Sequence, residues 1–487
     1  MDNNEKYREL RQRYPRFVYS AYHWEVVDEG LRLWFDFSMG DIVFHPTALV
    51  ERRPFLDFGT DKSLIDNIVF NIGMIELISY WKCACPPLVE VRCGTLTAAQ
   101  RAFWLKLYWN GLGEFFYTNG IDETPEAFLE FGVRSSEFGG SGCGNNNSKL
   151  RTPNSELYLV PIGGGKDSVV TLELLRRSGK NIRPLIMNPR GATIECARVA
   201  GFPLYEVLVI RRTIDPTLLE LNAKGYLNGH TPFSAMLAFY TMLASALSGI
   251  PHVALSNENS ANESTVIGTT VNHQYSKSLE FEDDFREYSL TPSPLSCEER
   301  GVDGSSDITN NSPLLAGEGS GVRSFRYFSF LRPLSELQIA MLFSRFTQYH
   351  DVFRSCNVGS KQDIWCGHCA KCLFAYIILS PFIEPLRLNA VFGKSMLDDL
   401  TLEHEFRQLL GLEATKPFEC VGTVSEVRQA LTMALSRWYG SNPPALLKLV
   451  ELEKLEILEN LEQLSPLGNL TPEERNIIQQ ACTANNN

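Results

Sequence analysis

The chain has no run of about eighteen consecutive apolar residues, the length a helix needs to span a bilayer, so no membrane segment is expected. Its opening, MDNNEKYRELRQRYPR, lacks the apolar stretch of a secretory signal, which reads as a cytoplasmic protein. Basic charge is in deficit: 45 Lys and Arg stand against 57 Asp and Glu, a net charge of −12 over 487 residues. Without a broad positive face the chain cannot neutralise many phosphates, and nucleic acid is not an expected partner. Disorder throughout is excluded, because 44% hydrophobic and 11% aromatic content supplies cores for two or three domains. The 12 cysteines are spread along a long chain without a secretion signal, so most read as reduced thiols rather than disulfides.

What is present organises the chain into segments. From Phe17 to Pro46, apolar and polar residues alternate around an Asp28-Glu29-Gly30 turn, predicting antiparallel strands. Helical spacing follows over 63–83 and 97–119, the second rich in Phe, Trp and Tyr at intervals that suit core packing. An α+β domain is expected over 1–134 and a Gly-, Ser- and Asn-rich linker over 135–155. Over 156–288 the apolar strands LYLVPI, NIRPLIM, LYEVLVI and PHVALS alternate with helices, including one from Pro232 to Ser248. That pattern means a parallel sheet covered on both faces, with ligands gathering at the carboxyl ends of its strands. Residues 289–324 carry no aromatic side chain, and SPLSCEERGV nearly repeats in SPLLAGEGSGV, so a disordered insertion is expected there. Helical periodicity resumes from Pro333, making 325–399 the remainder of the α/β domain. The region 400–487 reads as amphipathic helix, clearest in ALLKLVELEKLEILENLEQL, suited to packing or to a homo-oligomer surface.

The first strand of the α/β segment runs into Gly163, Gly164, Gly165, Lys166, Asp167 and Ser168, with a helical pattern directly behind. Glycines without a β-carbon let backbone N–H groups close on phosphate oxygens while the helix dipole points at the same anion. Lys166 adds charge and Ser168 a hydroxyl. Asp167 cannot ligate a phosphate as an anion, so its role is to hold a Mg²⁺ that bridges to the phosphates. A Walker A loop is excluded, since Asp167 follows the lysine, and a dinucleotide fingerprint would need a third glycine where Ser168 stands. A bare glycine turn has no use for Lys-Asp-Ser. The loop resembles the pyrophosphatase loop of enzymes that adenylate a substrate, with one departure: Gly163 replaces the usual first serine. The expected fold is therefore α/β, a parallel-sheet adenine-nucleotide domain with an N-terminal α+β domain and a helical, four-cysteine C-terminal region, using ATP and Mg²⁺.

Cys356, Cys366, Cys369 and Cys372 lie in RSCNVGSKQDIWCGHCAKC. Four soft thiolates in a short segment are the ligand set of a closed structural Zn²⁺ site. A similar arrangement occurs in 7-cyano-7-deazaguanine synthases, which share the loop; an iron–sulfur cluster, as in some tRNA thiolation enzymes, is the alternative. His368, between the ligands, reads as a bystander. The run 255–285 is dense in polar groups directly after an expected buried strand. In it Asn257, Glu258, Asn262 and Glu263 suit a sugar, a metal or a peptide, while His273, Tyr275 and Lys277 suit proton transfer or carboxylate binding; a solvated loop is the bland alternative. Arg211 and Arg212, after Ile210, would meet substrate at the same strand ends. His230, at the start of the helix from Pro232, is a ligand or base candidate. Cys196 reads as core, and Glu419 with Cys420 is a weaker catalytic option.

Taken together, PIGGGKDS, NGHTPFSA, SNENSANESTV, VNHQYSKSLEFE, WCGHCAKC, KPFECVGT and LGEFFYTNG resemble the UDP-N-acetyl-α-D-muramoyl-L-alanyl-L-glutamate epimerase family over nearly the full length outside the insertion. The resemblance implies ATP- and Mg²⁺-dependent inversion of the terminal L-glutamate of a UDP-linked muramoyl dipeptide, with AMP and pyrophosphate as products, in peptidoglycan precursor synthesis. It also implies that Gly163–Ser168 grip the phosphates and that the acid and base are drawn from among His230, His273, Tyr275 or Lys277. Three rivals use the same features: an adenylating ligase or nitrile-forming synthase fed by free ammonia, a tRNA-modifying enzyme that would need a basic surface, and a nucleotide sensor that an intact Lys166-Asp167-Ser168 disfavours.

Overall fold

A computed structural model describes residues 2–132, 156–266, 269, 271–290, 325–440, 442–450, 463–466 and 468–484. The expected linker at 135–155, most of the expected insertion (291–324) and 451–462 of the amphipathic C-terminal stretch lie outside the described residues. The chain divides into two compact units: Met1–Ser155 with Ile210–His252 and Glu280–Arg326, and Glu156–Val209 with Val253–Leu279 and Tyr327–Asn487. The strands are β1 (Arg16–Val27), β2 (Gly30–Met39), β3 (Ile42–Phe44), β4 (Thr47–Glu51), β5 (Leu88–Val91), β6 (Glu130–Gly132), β7 (Leu157–Pro161), β8 (Asn181–Met187), β9 (Leu208–Thr213), β10 (His252–Leu255) and β11 (Arg326–Ser329).

In the first unit the alternation read from Phe17 to Pro46 becomes antiparallel strands. β1 and β2 pair from Val18↔Ser38 to Val27↔Gly30 across the expected turn, and β4 pairs antiparallel with β2. The 210–213 part of β9 joins β4, from Val50↔Ile210 to Thr47↔Thr213. On the opposite side β5 and β6 continue in parallel. Every second residue of β2 (Leu31, Leu33, Phe35, Phe37, Met39) is buried, as a period of two requires when one face of a sheet is covered. The helix Lys62–Trp81 supplies cover on β1, and Gly73 makes the approach possible: a β-carbon there would meet the Tyr19 hydroxyl at 1.8 Å. That helix is long and apolar enough to cross a membrane, yet 78% of its apolar window is buried inside the fold, so it is a core helix. Helix Phe233–Ser248 packs against it and ends on Gly249 in the left-handed conformation. The helix read over 97–119 is two helices, Ala98–Gly111 and Gly113–Thr118, broken at Leu112 between two glycines.

In the second unit the strand order is β11-β10-β7-β8, within a mixed α/β architecture with a mostly parallel central sheet. β7 and β8 pair in parallel from Leu157↔Asn181 to Pro161↔Leu185, and the backbone bond from Phe330 to Leu255 (2.7 Å) aligns the ends of β11 and β10. Helix Lys166–Arg177 follows β7 and packs against Glu336–Ser344 and Pro472–Thr483. Helix Ala370–Leu379 is buried along its whole length, which is why its sequence shows no polar face. β11 has no counterpart in the sequence reading, since four residues directly behind the insertion leave no room for a period to show.

Between β7 and its helix, Gly164 has φ +81°, and a β-carbon would sit 3.0 Å from the Ala192 carbonyl carbon. A side chain there meets backbone that cannot swing away, and left-handed backbone adds its own cost. At Gly163 a β-carbon meets nothing within 4 Å. Gly164→Ala is expected to cost about 1–3 kcal/mol in denaturant melts, whereas Gly163→Ala should stay within about 0.5 kcal/mol of the parent.

Candidate active site

The helix Lys166–Arg177 starts on Gly165 without any side-chain cap, so its first N–H groups and dipole are presented to the loop. The loop is braced from three directions. Arg354 N–H donates to the Gly164 carbonyl (2.8 Å), Arg190 Nη2 to that of Gly163 (3.2 Å), and Ser168 Oγ to that of Gly165 (3.0 Å). Lys166 is 5% exposed and ion-paired with both Asp167 and Glu336. Glu336 opens the helix Glu336–Ser344, and its N–H donates to Glu426 Oε1 at 2.5 Å.

Around this pair the charges act on one another. Burial pushes Glu336 up to about 7 against the pull of Lys166, and the Asp167 and Glu258 carboxylates push the same way. Burial also works against an ionised Asp167, but Lys166, then Lys371 and Lys277, hold it below the usual carboxylate range. Lys277 resists burial for the complementary reason: Cys420, Glu258 and Asp167 keep it protonated above its ordinary value. Asp167, Glu258 and Glu336 offer hard oxygen donors of the kind Mg²⁺ takes, and Lys166, Lys277 and Lys371 offer cations for phosphate or carboxylate.

The polar run after β10 is built into the same unit. Arg332, fully buried, donates from Nη1 to the Glu258 carbonyl (2.7 Å) and from Nη2 to the Lys277 carbonyl (2.6 Å) and Ser329 Oγ (3.1 Å). It ties the loop after β10 to the turn Tyr275–Lys277. Asn257 Nδ2 donates to Ser329 Oγ (3.0 Å), and Tyr275 is buried. Glu263 is ion-paired with Lys416; Asn262 ends the turn Asn259–Asn262, its side chain outside the described ones. A bridge between Val266 and Thr415 and a bond from Gln274 Nε2 to the Val421 carbonyl (3.1 Å) lay the KPFECVGT segment along this run. Cys420 thereby receives side-chain hydrogen bonds from Lys277 and His273.

Three of the sequence candidates belong to the other unit. Arg212 lies under the first unit's sheet, gripping Glu76 from Nε (2.6 Å) and Nη2 (2.7 Å), with Tyr240 OH 3.0 Å from the same carboxylate. Arg211 Nε reaches Glu51 at 2.5 Å, and His230 Nδ1 is 3.6 Å from Glu114. The 210–213 part of β9 carries the two arginines in the first unit. Sequence reasoning missed Glu336, Lys371 and Arg332. Glu336 hides in SELQ, which reads as a capping box and is one; Lys371 hides as a spacer between two cysteines.

The four cysteine sulfurs lie within 4.8 Å of one another, with Cys356–Cys369 at 4.0 Å, Cys366–Cys372 at 3.7 Å and Cys369–Cys372 at 3.5 Å. Tetrahedral Zn–S bonds of about 2.3 Å place sulfurs about 3.8 Å apart, so the set fits one zinc ion rather than a multi-iron cage. His368 is exposed, with Nδ1 2.9 Å from the Cys366 carbonyl. The cluster begins two residues after Arg354, and a β-carbon on Gly165 would touch Ser355 at 3.3 Å, so the four-cysteine segment also braces the glycine loop.

An α/β unit that converges buried acids, lysines and a cation-paired thiol on a braced glycine loop has the make-up of an enzyme. The chain matches the MurL N-terminal domain over residues 8–292 and the MurL C-terminal domain over 352–457. It is 33% identical over 399 residues to the UDP-N-acetyl-α-D-muramoyl-L-alanyl-L-glutamate epimerase of Xanthomonas oryzae, covering 80% of this chain and 79% of the relative. The epimerases of the same name from Salinispora tropica (36% over 390 residues, 78% and 76% covered) and a Micromonospora species (33% over 386, 78% and 77%) agree. No solved structure matches. The chain belongs to the UDP-N-acetyl-α-D-muramoyl-L-alanyl-L-glutamate epimerase family, and it is an isomerase.

Metal analysis of the purified protein is expected to give about one zinc per chain. Cys372→Ser should lose the metal and lower the melting temperature, and its loss of the Arg354 brace should appear as faster proteolysis at the glycine loop.

Proposed function

We propose that the enzyme inverts the terminal L-glutamate of UDP-MurNAc-L-Ala-L-Glu, consuming ATP with Mg²⁺ and releasing AMP and pyrophosphate. The observation that carries this reading is the cluster of Lys166, Asp167 and Glu336 at the uncapped start of the helix after the glycine loop. A free carboxylate makes its own α-proton very weakly acidic, because deprotonation sets a second negative charge beside the first. Joining that carboxylate to AMP removes the obstacle and lets the carbonyl accept enolate charge.

In this scheme the Gly163, Gly164 and Gly165 amides with Lys166 and Ser168 hold the β- and γ-phosphates. Asp167, with Glu258 and Glu336 beside it, would hold Mg²⁺, whose positive charge would be available to the pyrophosphate. Lys277 and Lys371 bring positive charge to the carboxylate that reacts. Asn257, Asn262 and Glu263 are the substrate contacts of the polar run, and Arg211 and Arg212 those of the first unit. Proton transfer draws on His273, Tyr275 and Lys277, with His230 as the candidate from the first unit. Cys356, Cys366, Cys369 and Cys372 hold a structural Zn²⁺. Such an enzyme works on a soluble precursor in the cytoplasm, without nucleic acid or membrane partner.

The test is incubation with ATP, Mg²⁺ and UDP-MurNAc-L-Ala-L-Glu in D₂O, following AMP, pyrophosphate and the configuration of the recovered glutamate. D-glutamate with deuterium at Cα and one AMP per inversion is the expected result. Pyrophosphate with glutamate still L would redirect the reading to an adenylating ligase or nitrile-forming synthase. D-glutamate without AMP would remove ATP from the scheme. Lys166→Met is expected to lower the rate by at least about a hundredfold, as loss of a charge partner at a reacting phosphate does.

A further inference from the structure

Outside the four-cysteine cluster, most of the described cysteines are thiols whose ionisation burial holds back. Burial pushes the Cys83 and Cys196 thiols up to about 12 and that of Cys482 to about 11, which makes them inert packing. Cys420 is different. Burial opposes its ionisation too, but Lys277, then the His273 hydrogen bond and Lys371, bring it down to about 6. It is half-buried where Cys83 and Cys196 are fully buried.

The surroundings of this thiol are fixed by contacts already described. The Gln274–Val421 bond and the Thr415–Val266 bridge set the segment that carries Cys420. The Arg332–Lys277 bond sets the turn that carries Lys277, and Thr265 Oγ1 accepts from the His273 N–H at 3.0 Å. Two acceptors on residues that flank or hold this segment lack partners among the described residues: Gln274 Oε1, on a side chain 5% exposed whose other amide atom bonds Val421, and Glu419 Oε2. Buried acceptors of this kind are costly unless a bound group donates to them, and a peptide N–H is such a group. Lys277 lies within electrostatic reach of the thiol and also of the Glu258 and Asp167 carboxylates.

We propose that the Cys420 thiolate is the base that removes the Cα proton of the substrate glutamate. This rests on the epimerase reading above, and on the carboxylate having been activated. The sulfur lone pair takes the proton to give S–H, and the Cα–H electron pair moves into the adjacent carbonyl as an enolate. A proton delivered to the opposite face of Cα completes the inversion. The Tyr275 hydroxyl, carried on the short turn Tyr275–Lys277, is the acid assigned to that step. The thiol and the tyrosine then recover their starting states by exchange with water. This narrows the proton-transfer candidates named above to Cys420 and Tyr275, with Lys277 and His273 as positioning residues that keep the sulfur ionised.

The experiment compares wild type, Cys420→Ala and Lys277→Gln in D₂O with ATP, Mg²⁺ and UDP-MurNAc-L-Ala-L-Glu, reading AMP, Cα deuterium and D-glutamate separately. Cys420→Ala is expected to keep forming AMP, which also shows that it folds, while Cα exchange and D-glutamate fall by at least about a hundredfold. Lys277→Gln should slow exchange and also slow alkylation of Cys420 by iodoacetamide at neutral pH, an effect a purely structural lysine would not have. Exchange in Cys420→Ala at the wild-type rate would overturn the proposal. So would a hydroxylamine-labile substrate adduct on Cys420 after acid quench, which would make the sulfur a nucleophile instead. If wild type yields D-glutamate without AMP, the ATP reading fails on its own, and the exchange rate of Cys420→Ala still judges the base. Should Cys420→Ala be insoluble, wild type alkylated at Cys420 must lose exchange in proportion to labelling, and retained exchange sinks the idea.

Discussion

Burying an ammonium group among carboxylates is the constraint on which the second unit depends. Lys166 is 5% exposed and Glu336 2%, so neither can recover by turning to water. Each needs the other, and Lys166 also needs Asp167. The requirement fastens the loop after β7 to a helix that starts 170 residues further along the chain. Taking away one partner leaves an uncompensated charge in a dry setting, which costs several kcal/mol at sites of this kind. Burial raises the Glu336 carboxyl to about 7 against the pull of Lys166, the mark of a charge kept from water.

The braces around this cluster are mostly bonds to backbone carbonyls. Arg354 holds Gly164, Arg190 holds Gly163, and Arg332 holds both Glu258 and Lys277 by their carbonyls. A main-chain brace fixes where a side chain starts without consuming the side chain itself. Asp363 does the same for the neighbouring helix, accepting the Ala192 N–H at 2.8 Å. The four-cysteine segment lies directly beyond Arg354, so a single metal ion would stiffen the backbone that shapes the loop. The first unit meets its own buried charge in a different way: Glu76, on a core helix, is closed off by Arg212 and Tyr240.

Much of the local structure was legible in the chain. The alternation over 17–46 gave the antiparallel strands, and the Asp28-Glu29-Gly30 turn was placed correctly. LYLVPI, NIRPLIM and PHVALS became β7, β8 and β10, and the helices behind the glycine loop and from Phe233 formed as expected. Period and turn chemistry are local properties, which is why these elements could be read. The short strands β5, β6 and β11 could not, since three or four residues carry no period. The break at Leu112 was missed because the aromatic spacing runs on past Gly111.

The sequence by itself determined which chemistry is available: a glycine loop ending in Lys-Asp-Ser, four cysteines spaced to converge, and a polar run behind a buried strand. Each of those signals lies within a few dozen residues, so spacing alone reveals it. The company these groups keep was set by packing between segments far apart in the chain. That packing put Glu336 on Lys166, Lys277 beside Cys420, and Arg332 behind Lys277. It also took Arg211 and Arg212 into the other unit, onto Glu51 and Glu76. Those choices depend on which distant segments the packing brings together, and on the rule that a charge leaving water must find an opposite charge or a hydrogen bond where it lands.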